Sequence, residues 1–176
     1  NVFFAVISSI STSGISTYSS NLDVSLFFIL LTILGGSLIS TSSGFKYIRF
    51  YILLKISYQE IYKIAKPKNI FNKNLFNTES KITDDDSKIT FLVFILFIVS
   101  IFILASILTL DNITFENAFK LSILTLTNTV TSSLYGLDNL LFFDLSRLTR
   151  ISLIFFMIFG KIEIITILFL IKKYVF

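Results

Sequence analysis

The sequence predicts an all-α membrane protein, and three observations carry that expectation. Of its 176 residues 54% are hydrophobic and 21 are Phe, and the mean hydropathy is +0.84, more apolar surface than a water-soluble domain of this size can hide. Three stretches approach the roughly 20 apolar residues that cross about 30 Å of hydrocarbon. Between them lie shorter apolar segments that end in Ser/Thr-rich loops, and this layout occurs twice.

Val2 to Ile10 is apolar but half a crossing long, and it runs into Ser11, Thr12, Ser13, Gly14, Ile15, Ser16 and Thr17 before a polar stretch closing on Asp23. Lacking a basic leader and a cleavage site, it does not read as a signal peptide, and a start at Asn1 reads as the interior of something longer. Val24 to Phe45 is uncharged and long enough to span, but Gly35-Gly36 and the run Ser40-Thr41-Ser42-Ser43-Gly44 predict a break in its cytoplasmic half. Lys46 to Lys88 carries nine Lys or Arg, an amphipathic section from Tyr51 to Ile64 and a polar linker from Pro67. By the positive-inside rule that loop is cytoplasmic. Within it, Asp84-Asp85-Asp86 lacks the Gly and Glu spacing of a calcium loop and reads as a solvated charge run.

Ile89 to Leu110 is the second span. Phe115 to Leu126 is again too short to cross and leads into Thr127, Asn128, Thr129, Val130, Thr131, Ser132 and Ser133. Ile151 to Ile171 is the third span, ending at Lys172 and Lys173, in keeping with a cytoplasmic C-terminus. One complete unit of span, half-helix, polar loop and span is therefore preceded by the last three elements of another, an internal repeat. The chain divides into an incomplete unit at 1–45, a cytoplasmic basic segment and linker at 46–88, a complete unit at 89–171 and a tail at 172–176.

In hydrocarbon every backbone amide and carbonyl needs a partner, so Ser/Thr-rich irregular backbone at membrane depth implies a buried or water-lined site. A half-helix ending mid-membrane leaves its terminal carbonyls, with their partial negative charge, facing such a cavity, where they favour a cation. Gly14 suits this, because it can take positive φ and turn successive carbonyls toward one axis while neighbouring hydroxyls pack behind or add ligands. An ordinary extracellular loop is the plainer reading of one such segment, and the second occurrence argues against it. Asp23, Asp138 and Asp144 lie on the outer side, where they are solvated carboxylates or focus cations toward the loops. Lys161 has ten residues between it and Arg150 and ten between it and Lys172, which puts it near the bilayer midplane and makes it a candidate path-lining charge. Glu163, two residues on, points to a different side.

The absence of Cys and His removes disulfides, thiolate nucleophiles and imidazole bases. An intramembrane enzyme would have to pair a Ser with Lys161, and no positioning motif supports that. Two loops make half a ring, so the chain needs a complement: upstream residues of the same protein, a separately encoded N-terminal half, or a second copy.

Gly35-Gly36 followed by Ser40-Thr41-Ser42-Ser43-Gly44-Phe45-Lys46-Tyr47-Ile48-Arg49 resembles the "GG…GSTGGGIKxxR" segment of TrkH-type potassium uptake proteins of the Trk/Ktr/HKT superfamily. Ser11-Thr12-Ser13-Gly14-Ile15-Ser16-Thr17 resembles their third filter loop, Thr125-Leu126-Thr127-Asn128-Thr129 the start of their fourth, and Gly160-Lys161-Ile162-Glu163 their "GRLE" element. The resemblance implies the C-terminal half of such a protein, with about 1.75 of four helix–pore-helix–helix (M1-P-M2) repeats around a central ion path. Residues 1–45 would belong to the third repeat and residues 89–171 to the fourth. It implies a filter at Ser11, Thr12, Ser13, Gly14, Ile15, Asn128, Thr129 and Val130, with potassium held there and no cofactor. It implies a gate at Gly35, Gly36, Ser40, Thr41, Ser42, Ser43 and Gly44, with Lys161 lining the path nearby.

The same resemblance implies a multi-pass protein of the bacterial cytoplasmic (inner) membrane, an N-terminal half carrying the first two repeats, a homodimer of full subunits and a cytosolic nucleotide-binding regulatory subunit. No nucleic-acid partner is expected. Two departures stand out. Ile39, Ser42 and Ser43 occupy positions where the family has glycines, and Val130 stands where its filter glycine is expected. A β-branched residue resists positive φ, so the second loop should not present its carbonyls as the first does. A membrane protein that assembles without conducting is the rival expectation.

Overall fold

The structure is a computed structural model and describes residues 2–15, 25–35, 44–65, 84–131, 133–137 and 145–161. Among them are six α-helices and no strand: α1 Val2–Ile10, α2 Ser25–Leu34, α3 Tyr47–Ala65, α4 Asp84–Thr109, α5 Phe115–Leu126 and α6 Arg147–Lys161, with a 3-10 turn at Ser133–Tyr135. Ser16, Thr17, Asp23, Gly36, Ile39, Ser40, Thr41, Ser42, Ser43, Asp138, Asp144 and Glu163 lie outside the described residues, as do the linker from Pro67, the far half of the third span and the tail.

α4 is the spine. It is apolar on every side after Lys88, the pattern of a helix surrounded by apolar material rather than water. One face, Val93, Phe97, Ile101, Leu104, Ala105 and Leu108, is buried at spacings of three and four residues, and it packs on α5, α6 and α3. Asp85–Thr109, 25 residues, is the one helix among the described residues long and apolar enough to cross a membrane. α2 is apolar over ten residues, about 15 Å of rise, or half a bilayer. α4 begins at Asp84 rather than at Ile89. Asp85 and Asp86 open its first turn, where acidic side chains meet the positive end of the helix dipole, so the charge run belongs to the helix.

α5 sits inside the bundle. Ala118 and every residue from Lys120 to Leu126 are buried, so a 12-residue helix is covered nearly all round by α4, α6 and α2. Ala5 of α1 and Phe28 and Ile29 of α2 extend the same core. The outer surface is apolar too: Phe3 is 78% exposed, and Leu30 and Ile151 are each 60% exposed. A surface of this kind is stable against hydrocarbon and unstable against water.

α2 ends at Leu34, where Gly35 turns with φ +54°. The chain is back beside that end at Phe45, whose N–H donates to Ile33 O at 3.0 Å. Phe45 is buried with its ring 5.5 Å from Phe94 and 6.4 Å from Phe97. α3 therefore starts at Tyr47, against the interior of α4, four residues before the amphipathic section expected from Tyr51. The anchoring of Phe45 comes from rings about fifty residues away, which no local pattern in this segment records.

Candidate functional site

Both half-helices end in the same backbone motif. After α1, Ser11 N–H bonds Ile7 O at 2.9 Å, Thr12 N–H bonds Ser9 O at 3.1 Å and Ser13 N–H bonds Ser8 O at 3.1 Å. After α5, Thr127 N–H bonds Ile123 O at 2.9 Å, Asn128 N–H bonds Thr125 O at 3.1 Å and Thr129 N–H bonds Leu124 O at 2.9 Å. Position by position these match at an offset of 116 residues, and the left-handed residue in each is Thr12 (φ +55°) or Asn128 (φ +52°). This is the Schellman arrangement, which closes a helix by satisfying the carbonyls one turn back. The pairing turns the backbone sharply, so the residues beyond it leave the helix axis. At the same offset Gly14, with φ +68°, corresponds to Val130, which has no positive φ.

The two loops meet. A Cβ built on Gly14 would lie 2.3 Å from Val130 O, 2.7 Å from Val130 N and 2.9 Å from Thr129 Cγ2. Only a glycine can sit here, both for its φ and for the backbone pressed against it. The hydroxyls mostly turn inward: Ser8 Oγ donates to Ile15 O at 2.7 Å and lies 3.0 Å from Ser13 Oγ, while Thr127 Oγ1 lies 2.8 Å from Thr129 Oγ1. Thr12 and Thr129 are buried, Ser11 and Ile15 are exposed, and Val130 is 60% exposed. Among the described residues no group of carboxylates could hold a metal ion, which leaves carbonyls and hydroxyls as the oxygen donors there.

Gly44 lies between the end of α2 and the start of the second loop. Gly44, with φ +98°, approaches Thr32 O and Ile33 O, and a Cβ on it would be 3.4 Å from Thr127 Cγ2. Gly35 ends α2 at the same place. Lys161 is the last described residue of α6, with an exposed side chain, one residue after a very close approach: a Cβ on Gly160 would lie 1.9 Å from Leu126 O. Asn128 Nδ2 donates to Met157 O at 2.9 Å, so α6 is fastened to the second loop at two points one turn apart. The structure thus gathers Gly14, Asn128, Thr129, Val130, Gly35, Gly44 and Lys161 around the ends of α1, α2 and α5. A cleft of about 270 Å³ lies behind, lined by Leu121, Thr125, Thr129, Val130, Leu153 and Met157. Its wall carries the hydroxyl-bearing side chains of Thr125, Thr129 and Thr131 among apolar ones, and no carboxylate.

Several residues here were not legible in sequence. Tyr135, fully buried, brings its hydroxyl to 3.4 Å from Ser9 Oγ and joins the turn after the second loop to α1. Asp111 accepts from Ser146 N–H at 2.8 Å and from the Thr149 hydroxyl, and Ser146 Oγ caps Thr149 N–H at 3.3 Å. The Thr149 bond first, then the Ser146 backbone bond, holds the Asp111 carboxyl below the usual carboxylate range. A capping Ser before an apolar run is the signal that could have located Ser146, and a lone Gly in an apolar helix the one for Gly160.

This arrangement has a counterpart among solved structures. The crystal structure of the potassium transporter TrkH from Vibrio parahaemolyticus is similar over 95% of this chain, with a TM-score of 0.81 and 22% sequence identity. The likeness is one of fold. This chain spans 36% of the length of that protein. No family model and no curated protein sequence matches the chain.

Proposed function

We propose that this chain is an integral, multi-pass membrane protein and belongs to a channel-like uptake system for potassium, contributing two neighbouring quarters of a filter and the gate below it. The observation that carries this reading is the meeting of two equivalent half-helix ends, backbone against backbone, at Gly14 and Val130. Two such ends direct the partial negative charge of two helix C-termini to one place, which is what a cation without carboxylate ligands requires. The apolar outer surface and the fold shared with a potassium transporter support it. On this reading the ligands come from Ser11 to Ile15 and from Asn128 to Val130. Gly35 to Gly44 form the gate, Lys161 restrains cation flow beside it, and no covalent chemistry takes place. The first two repeats, a homodimeric assembly, a cytosolic nucleotide-binding subunit and the inner membrane of a bacterium complete the proposal.

One observation favours a second reading, a subunit that assembles without conducting: Val130 lacks the positive φ that its counterpart Gly14 has. Expressing the full-length protein in bacteria deficient in potassium uptake separates the two. Growth at low potassium, increased by Val130→Gly, is the expected result. No growth with either form, at normal protein levels in the membrane, would refute the transport reading.

A further inference from the structure

Lys120 lies outside every motif considered so far, yet it is an ionisable side chain in the middle of a buried helix, only 10% exposed. Its ammonium donates to Glu116 Oε1 at 2.6 Å, one turn back along α5, and Glu116 is 75% exposed. Gly136 is also near, since a Cβ built on it would stand 3.8 Å from Lys120 Nζ. Gly136 turns with φ +70°, directly after Tyr135, which is held against Ser9 of α1. The turn at Tyr135 and Gly136 therefore lies close to both Ser9 of α1 and the Lys120 ammonium.

Lys120 is six residues before the end of α5, so its charge is roughly 10 Å from the loop at about 1.5 Å of rise per residue. A bare ammonium at that distance opposes a cation entering the loop. Between effective dielectric constants of about 80 and 20, a unit charge 10 Å away changes cation occupancy by about twofold to fifteenfold.

We propose that Glu116 and Lys120 form a compensated pair, in which Glu116 cancels the field of the buried Lys120 ammonium so that cations can enter. This rests on the transport reading above. Glu116 is then a determinant of entry rate through the charge of another residue, and it need not touch the ion.

The test is potassium or rubidium uptake by the full-length protein at matched membrane levels, in low and high ionic strength. Glu116→Gln is expected to slow uptake by about twofold to fifteenfold at low ionic strength, with the deficit shrinking as added salt screens the exposed charge. Glu116→Gln combined with Lys120→Gln should return to near the wild-type rate, and Lys120→Gln alone should be no slower than wild type. Unchanged uptake by Glu116→Gln, or an equal loss in all three variants, would overturn the proposal while leaving the transport reading intact. Absence of uptake by the unaltered protein would overturn both.

Discussion

Replacing Gly160 with Ala adds one methyl group and should push α6 away from α5. The new Cβ would meet Leu126 O at 1.9 Å, Leu126 C at 2.7 Å and Leu126 Cα at 3.0 Å, all backbone atoms that no rotamer change can move. Real Cβ atoms stay about 3.0 Å or more from such neighbours, so α6 must retreat from α5 by roughly 1.1 Å. Overpacking of this kind costs about 1–3 kcal/mol, and here relief by side-chain repacking is closed off. The retreat also stretches the Asn128–Met157 bond, worth about another 0.5–1.5 kcal/mol. The sum, about 2–4 kcal/mol, corresponds to a fall of roughly 5–15 °C in thermal midpoint for a chain of this size. Thermal unfolding of the purified protein in detergent measures it.

Gly136→Ala is the control. Its Cβ would approach only Lys120 Nζ, at 3.8 Å, so its cost is the left-handed φ alone, about 1–2 kcal/mol. A Gly160→Ala midpoint indistinguishable from wild type, or no lower than that of Gly136→Ala, would refute the close approach of α6 to the end of α5. Glycines at helix interfaces in membranes commonly serve such an approach, and at Gly160 the partner is the end of a half-helix rather than the side of a span.

Asp111→Asn should weaken the start of α6 and flatten the acid limb of stability. The Asp111 carboxyl is held below its ordinary value, so its stabilising effect is complete above about pH 4, the range of an unfolded aspartate, and is lost as pH falls through the lower folded value. Thermal midpoints from pH 7 downward should converge for wild type and Asp111→Asn at the acid end; parallel curves would contradict the assignment. Tyr135→Phe removes one long hydrogen bond to Ser9 and should cost under about 1 kcal/mol, whereas Tyr135→Ala empties a fully buried site and should cost about 3–5 kcal/mol. Equal effects in the two Tyr135 variants, read by thermal unfolding, would mean that the hydroxyl and not the ring ties the turn to α1.

Much of the candidate site is legible without coordinates, because its signals are local. Ser11 to Gly14 and Thr127 to Thr129 are short polar runs that follow short apolar ones, and a Gly-Gly pair marks the point where α2 ends. The departure at Val130 is legible for the same reason: the side chain alone bars the conformation that Gly14 adopts. The role of Asn128 is less so. By sequence it is one more polar residue of the loop after α5, and in the structure its amide fastens that loop to Met157, 29 residues further on. In the string of residues Asp111 resembles any turn aspartate, and Lys120 any charge on a short helix.

Composition and local pattern, by themselves, predicted helices and no strand among the described residues, an outer surface too apolar for water, and two short helices that end in polar loops at corresponding places. Those properties depend on each residue's own transfer energy and on neighbours within a few positions, which a linear string records. The tertiary structure alone decided that Gly14 touches Val130, that Gly160 seats on Leu126, that Phe45 returns to Ile33 and that Asp111 caps α6. Each of these joins residues separated by 12 to 116 positions through a contact of a few ångströms. Such a contact is set by how whole helices pack, and no single segment carries the information that fixes it.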